Sequence, residues 1–220
     1  MTPRALGLRA VVASVILVPA VAAGSVPNYD RGCTESGCHS DYTTRAVVHA
    51  PVAMNSCDAC HEKTPGDAHK FTLARSGAAL CTECHENVIK ERKFTHGPVA
   101  SGACTACHDP HASNQPKLLT QPQRELCLDC HTTVQDRVSG SKHVHHPVKD
   151  GCTACHDAHG TDNPMLLAAA DSKQLCLDCH SEIEELLDSS KVKHKPMLAA
   201  GSCVTCHDPH ASAEQAVLLK

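Results

Sequence analysis

The feature that most confines this chain is a cysteine pair followed at once by a histidine, set down eight times along 220 residues. The first cysteine of each pair is Cys33, Cys57, Cys81, Cys104, Cys127, Cys152, Cys176 or Cys203, so the unit recurs at a nearly constant interval. A fixed period of this kind marks a repeat architecture, in which each unit leans on its neighbours. Two kinds of unit alternate. One reads His-x-Pro-Val, a Gly, then Cys-x-x-Cys-His-Asp-Pro-His or a near relative, around Cys104, Cys152 and Cys203 and more loosely around Cys57. The other follows a leucine, around Cys81, Cys127 and Cys176. A polar stretch ending in paired leucines recurs at Leu118-Leu119 and Leu166-Leu167, and the reading places Leu218-Leu219 at the same point. The larger period is a two-motif module of roughly 48 residues. Ordinary core material is scarce: there is no Trp, and only two Phe and two Tyr. Large aromatic side chains usually dominate burial, so something else must fill the interior.

Seven units match Cys-x-x-Cys-His: Cys57/Cys60/His61, Cys81/Cys84/His85, Cys104/Cys107/His108, Cys127/Cys130/His131, Cys152/Cys155/His156, Cys176/Cys179/His180 and Cys203/Cys206/His207. This is the attachment signature of c-type haem. Two thiols three positions apart reach the two vinyl groups on one porphyrin edge, and the next histidine is directed at the iron as proximal ligand. The eighth unit, Cys33/Cys38/His39, carries two extra residues between its cysteines. A Ser-Gly insertion bulging outward keeps both sulfurs near the vinyls, so it is counted with the others. Zinc sites and disulfides also use paired cysteines. Neither asks for a histidine immediately after every second cysteine. The expected cofactor is eight covalently bound haem c groups, which would supply the missing interior.

Eight proximal histidines leave ten of the 18. His49, His96, His145 and His194 each stand two residues before a proline. His69, His111, His159 and His210 follow the motifs around Cys57, Cys104, Cys152 and Cys203. Both series keep the period of the motifs, which makes them the candidate distal ligands for eight irons. His143 and His146 flank His145 and are alternatives to it. His111 lies too close to His108 to cross the porphyrin plane, so it should serve a neighbouring haem; the same holds for His159 and His210. The proline in each His-x-Pro fixes the local backbone. Met54, Met165 and Met197 follow no period and rank below the histidines. Iron with two histidines has no position for substrate and lacks the methionine that raises potential. The expected chemistry is therefore one-electron transfer at low to moderate potential, not catalysis.

The modules from His96 to His131 and from His145 to His180 resemble the doubled Cys-x-x-Cys-His multihaem cytochromes. They are similar to the decahaem cytochromes of outer-membrane porin conduits and to carriers of metal-respiring or iron-oxidising bacteria. The Cys33 spacing resembles a variant of small tetrahaem cytochromes. The resemblance implies redox partner proteins: a membrane quinol-oxidising cytochrome, an outer-membrane porin or other cytochromes. It also implies a place in anaerobic respiration or extracellular electron transfer. Eight motifs instead of ten set a porin insert in question, and a subunit of a polymeric haem wire is a further possibility. The enzymatic alternative is a multihaem oxidoreductase acting on nitrite, hydroxylamine or tetrathionate; such enzymes look different, often replacing one proximal histidine and surrounding it with helical protein.

Residues 1–22 read as an export signal, with Arg4 and Arg9, an apolar run over 11–18 and Ala20-Val21-Ala22 as the cleavage site. An uncleaved anchor is the alternative, but the run is shorter than the roughly 20 residues that span a bilayer. The expected mature octahaem domain covers 23–220, periplasmic or outer-membrane/extracellular, with no transmembrane helix. Without Arg4 and Arg9, 18 basic residues face 24 acidic ones, a charge of −6 instead of the −4 of the full sequence. No basic stripe suggests nucleic acid. The expected fold is mostly coil with short α-helices at the Leu-Cys motifs, little or no β, and turns elsewhere. Thr120-x-x-Gln123 reads as a helix start, and residues 181–187 as a helical continuation of the Cys176 motif.

Overall fold

The computed structural model describes residues 32–35, 37–67, 69–86, 88, 90–199 and 202–219. The export signal expected over residues 1–22 lies outside them. The chain is mostly coil, punctuated by short helices and two- or three-residue strands, as the repeat and the thin composition led one to expect. In chain order the first elements are β1 (Val47–Val48), α1 (Ala50–Ala53), β2 (His61–Lys63), β3 (Phe71–Leu73) and α2 (Ala78–Thr82). Next come β4 (Phe94–Thr95), α3 (Gly97–Ala100), β5 (Ala112–Ser113), α4 (Gln123–Leu128) and α5 (Thr132–Gly140). The last are β6 (His143–Val144), α6 (His146–Asp150), β7 (Gly160–Thr161), α7 (Ser172–Leu177), α8 (Ser181–Ser189) and β8 (Ala211–Ser212). Among the described residues, no helix is long and apolar enough to cross a membrane.

The His-x-Pro segments are not plain turns. His49, His96 and His145 occupy the N-cap in extended backbone, and the proline falls in the first turn of α1, α3 and α6. Proline is favourable there, because its missing N–H would have no helical partner and its φ is already helical. The Leu-Cys motifs form α2, α4 and α7, as expected. Thr120 does not start α4, however. That helix begins at Gln123, behind Pro122, and the Gln123 carboxamide oxygen instead accepts from the backbone N–H of Cys152 at 3.0 Å. The equivalent helix α7 is capped by the Asp171 carboxylate, which accepts from Lys173 N–H. α8 is a separate helix, divided from α7 by His180.

Three of the four sheets join successive modules. β1 pairs antiparallel with β5, β4 with β7, and β6 with β8. In each case the strand before a His-x-Pro lies against the strand after the Asp-x-His of the following module. The fourth sheet, β2 with β3, stays within the first module, where an insertion lengthens the loop that carries His69. Buried apolar side chains are few among the described residues: Ala112, Leu128, Val138, Leu177 and Ala211. Two are the alanines of β5 and β8. Part of this small core therefore lies in the inter-module seams, and the rest on α4, α5 and α7.

The paired-leucine stretches form tight turns, Pro116-Lys117-Leu118-Leu119 and Pro164-Met165-Leu166-Leu167. Both central residues have positive φ (57° and 60°, then 58° and 57°), which is a type I′ turn. Leu119 and Leu167 then bridge back to His108 and His156. The third copy is centred on Ala216 and Val217, and Leu218 bridges His207. Ser113 and Ser212 confirm this register, their hydroxyls donating to the carbonyls of Leu119 and Leu218. Val217-Leu218, not Leu218-Leu219, is thus the counterpart of Leu118-Leu119. Bulky residues in left-handed backbone are strained by about 1–2 kcal/mol each. Met165 is 81% exposed, so its side chain contributes little packing in return. Replacing Met165 by Gly should raise stability by about 1 kcal/mol, the relieved strain less about 0.4–1 kcal/mol for the freer unfolded chain. Met165→Val should lower it, and urea unfolding of the holoprotein reads both signs.

Candidate haem-binding site

Seven pairs of imidazoles face one another across the chain. They are His39 with His69, His61 with His111, His85 with His49, His108 with His159, His131 with His96, His156 with His210 and His180 with His145. Ring centres lie 6.0–6.1 Å apart in every pair, and the planes are 6–20° from parallel. Each pair joins one proximal candidate to one distal candidate. A metal–imidazole bond is about 2.0–2.1 Å; two in line across one metal leave the ring centres about 6 Å apart. The observed spacing fits two axial ligands on a single iron.

The pairing follows two rules. Proximal histidines of the Leu-Cys motifs take the His-x-Pro histidine that opens their own module. His61, His108 and His156 take the Asp-x-His histidine of the next module. His111, His159 and His210 thus face histidines of the preceding module, not of their own. The longer loop of the first module brings His69 to His39, so the variant Cys33/Cys38 unit joins the same pattern; Gly37, at φ 79°, supplies the left-handed residue its extra length uses. His145, and neither of its neighbours, meets His180. His143 lies in β6, and the exposed His146 side chain is 3.7 Å from Asp150. Met54 is exposed, like Met165. His194 and His207 face no imidazole among the described residues.

Hydrogen bonds orient the rings. Nδ1 of His108, His156 and His207 donates to the carbonyls of Lys117, Met165 and Ala216, each at 2.9 Å. These are the first left-handed residues of the type I′ turns. Nδ1 of His49, His96 and His145 donates to Pro110, Ala158 and Pro209 at 2.8–2.9 Å. A carbonyl can only accept, so Nδ1 carries the proton and the Nε2 lone pair is left for a metal. The acceptors Pro110, Ala158 and Pro209 are the middle residues of Asp-x-His. The same segments bind these histidines again through the backbone, His49, His96 and His145 N–H donating to the carbonyls of His111, His159 and His210.

The aspartate of Asp-x-His has a role that its place in the motif does not reveal. Its Oδ1 accepts from the N–H of the histidine two residues on, at 2.8–3.0 Å for Asp67, Asp109, Asp157 and Asp208. This local turn presents the ring. Burial lowers the pKa of His111, His159 and His210 below the usual imidazole value, against the opposing pull of the adjacent aspartates. The neutral form, which alone can ligate, is thereby favoured. Tyr42 stacks on His111, with ring centres 4.6 Å apart, and Phe71 meets His61 and His69 edge-on. These aromatics of an aromatic-poor chain are thus spent on the first module.

The thiols form a continuous file. None of the sixteen cysteines is in a disulfide. Cys57 neighbours Cys33, Cys81 neighbours Cys104 and Cys60, Cys127 neighbours Cys152 and Cys107, and Cys176 neighbours Cys203 and Cys155. Burial, then the neighbouring thiols, pushes Cys127 up to about 12 and Cys176 up to about 11. Among the described residues, no three His, Cys, Asp or Glu side chains converge as a zinc site would need.

The doubled CXXCH motif model matches residues 49–90, 96–136, 145–185 and 194–220. The chain belongs to that family. It is a multihaem c-type cytochrome, and covalently bound haem c is its cofactor. Each match opens on a His-x-Pro histidine, so the family module coincides with the structural one. No curated protein matches the chain.

Asp208 shows what holds a distal histidine in this cytochrome. It is 8% exposed, accepts from His210 and Ala211 N–H, and takes Arg137 Nη1 at 2.7 Å. Asp208→Ala leaves those buried donors without a partner and should cost about 1–3 kcal/mol. Arg137→Ala, whose guanidinium is half exposed, should cost less; urea unfolding of the holoprotein checks the order.

Proposed function

We propose that the chain is an exported octahaem electron carrier, seven of whose irons are held by the opposed histidine pairs. The seven ring pairs at 6.0–6.1 Å support this most directly. Haem c, when bound, supplies reversible one-electron chemistry at iron. What the polypeptide does is place and insulate. Cys33, Cys38, Cys57, Cys60, Cys81, Cys84, Cys104, Cys107, Cys127, Cys130, Cys152, Cys155, Cys176, Cys179, Cys203 and Cys206 would anchor eight groups through thioethers. The Asp-x-His and His-x-Pro segments hold the distal imidazoles of the seven pairs opposite their proximal partners. The succession of neighbouring thiols from Cys33 to Cys203 supports closely spaced attachment edges, as short electron-transfer steps require.

Localisation in the periplasm or outside the cell rests on the basic, apolar and small-residue pattern of residues 1–22, with the mature domain beginning near Ala23. Respiratory and extracellular roles, with a quinol-oxidising cytochrome, a porin or other cytochromes as partners, rest on family resemblance. The oxidoreductase alternative has one observation in its favour: His207 lacks an opposed ring among the described residues.

Mass spectrometry of the secreted holoprotein should give a chain starting near Ala23 plus eight haems. Loss of the N-terminal mass without haem addition, or fewer than eight haems, overturns the corresponding part of the reading. Cys127→Ser with Cys130→Ser should lower the count by one. His145→Ala should convert one low-spin ferric signal to high-spin in electron paramagnetic resonance. His143→Ala and His146→Ala should leave the spectrum unchanged.

A further inference from the structure

One structural element does two jobs at every inner boundary of the chain. The Asp-x-His segment of the next module sets a ring opposite the proximal histidine of the preceding His-x-Pro unit. It also clamps the His-x-Pro histidine of that unit, through Nδ1, through the backbone N–H and through a two-residue strand pair. At the last unit, no described segment does either.

The proximal side there is complete. His207 Nδ1 donates to Ala216, Leu219 N–H donates to Cys206 at 2.8 Å, and the type I′ turn is formed. The distal side holds no ring among the described residues. His194 is the one distal candidate left over, and it is loose. It is exposed where His49, His96 and His145 are not fully so, and it has no carbonyl on Nδ1 among the described residues. Val192 just before it is 89% exposed, whereas the corresponding residues Val47, Phe94 and His143 lie in β1, β4 and β6. Proximity in sequence does not make His194 the partner of His207. His49, His96 and His145 stand just as close ahead of His61, His108 and His156 in the chain, and none of them faces that neighbour.

Resting on the octahaem reading, we infer that the iron held by Cys203, Cys206 and His207 keeps an exchangeable sixth position, a binding site for small exogenous ligands. Its ligands are small π-acceptors when the iron is reduced and small anions when it is oxidised. Lys191, Lys193 and Lys195, all exposed on the segment around His194, favour the anions. The turn Lys195–Leu198 packs against the turn Ser202–Thr205 that carries Cys203, which places this basic segment beside the attachment site. The other seven irons, closed by opposed rings, bind none.

The test is titration of the reduced full-chain holoprotein with carbon monoxide, followed in the Soret band, beside a haem count by mass. One carbon monoxide per eight haems is expected, unchanged in His194→Ala. In His210→Ala, which uncovers His156, the number should rise to two. Cyanide added to the oxidised protein should likewise bind once, with affinity falling as salt rises. Binding that appears only in His194→Ala identifies His194 as the sixth ligand and overturns the inference. So does a protein that binds none, or one that binds two or more without substitution. Eight haems with no carbon monoxide bound removes this inference alone; fewer than eight removes the count on which it rests.

Discussion

Two imidazole rings held nearly parallel, with centres 6.0–6.1 Å apart, gain little from each other directly. They are too distant for a hydrogen bond and sit toward the wide end of the range over which rings stack. The arrangement makes energetic sense with a metal bound to both, and it recurs seven times in one chain. The partners lie far apart in sequence, from His39 and His69 at one end to His156 and His210 at the other. Each such bond would therefore close a long loop, the task a hydrophobic core performs in ordinary domains. That is why so few apolar side chains need to be buried by the polypeptide alone.

The remaining interactions make those rings point correctly. Backbone carbonyls fix the tautomer, aspartates fix the turn, and burial favours the neutral form of His111, His159 and His210. The left-handed pairs at Lys117-Leu118, Met165-Leu166 and Ala216-Val217 are the clearest cost of this arrangement. Gly and Asn are the usual occupants of such positions, yet none is present. The strain persists because the turn aims one carbonyl at the proximal histidine of its own motif, a case of local strain maintained by what it positions.

Covalent chemistry was the most legible part of the sequence, since Cys-x-x-Cys-His is contiguous and carries its meaning locally. The two series of candidate distal histidines were legible through their period, and His111, expected to serve another unit, faces His61 of the preceding module. Which unit was not legible, because that depends on two-residue strands such as β5 and β7 that have no periodicity to read. The expectation that Thr120 opens a helix failed because Gln123 is used to hold Cys152 N–H across a module boundary. The last leucine pair was misplaced by one residue because the turn reads backbone geometry, which Ala216-Val217 adopts as readily as Lys117-Leu118. His194 matched its series in spacing, but a ligand also needs something to hold it, and the described residues around it provide nothing of the kind.

The strand seams carry a consequence for length. Each module meets the next through the same short strand pair, Val48 against Ala112, Thr95 against Gly160, Val144 against Ala211. The position after the Asp-x-His is a small residue at each of these joints, Ala112, Gly160 and Ala211. An assembly joined this way grows by whole modules, as rail is laid from identical lengths, and a cell could set the reach of its conductor by counting sections without redesigning any of them.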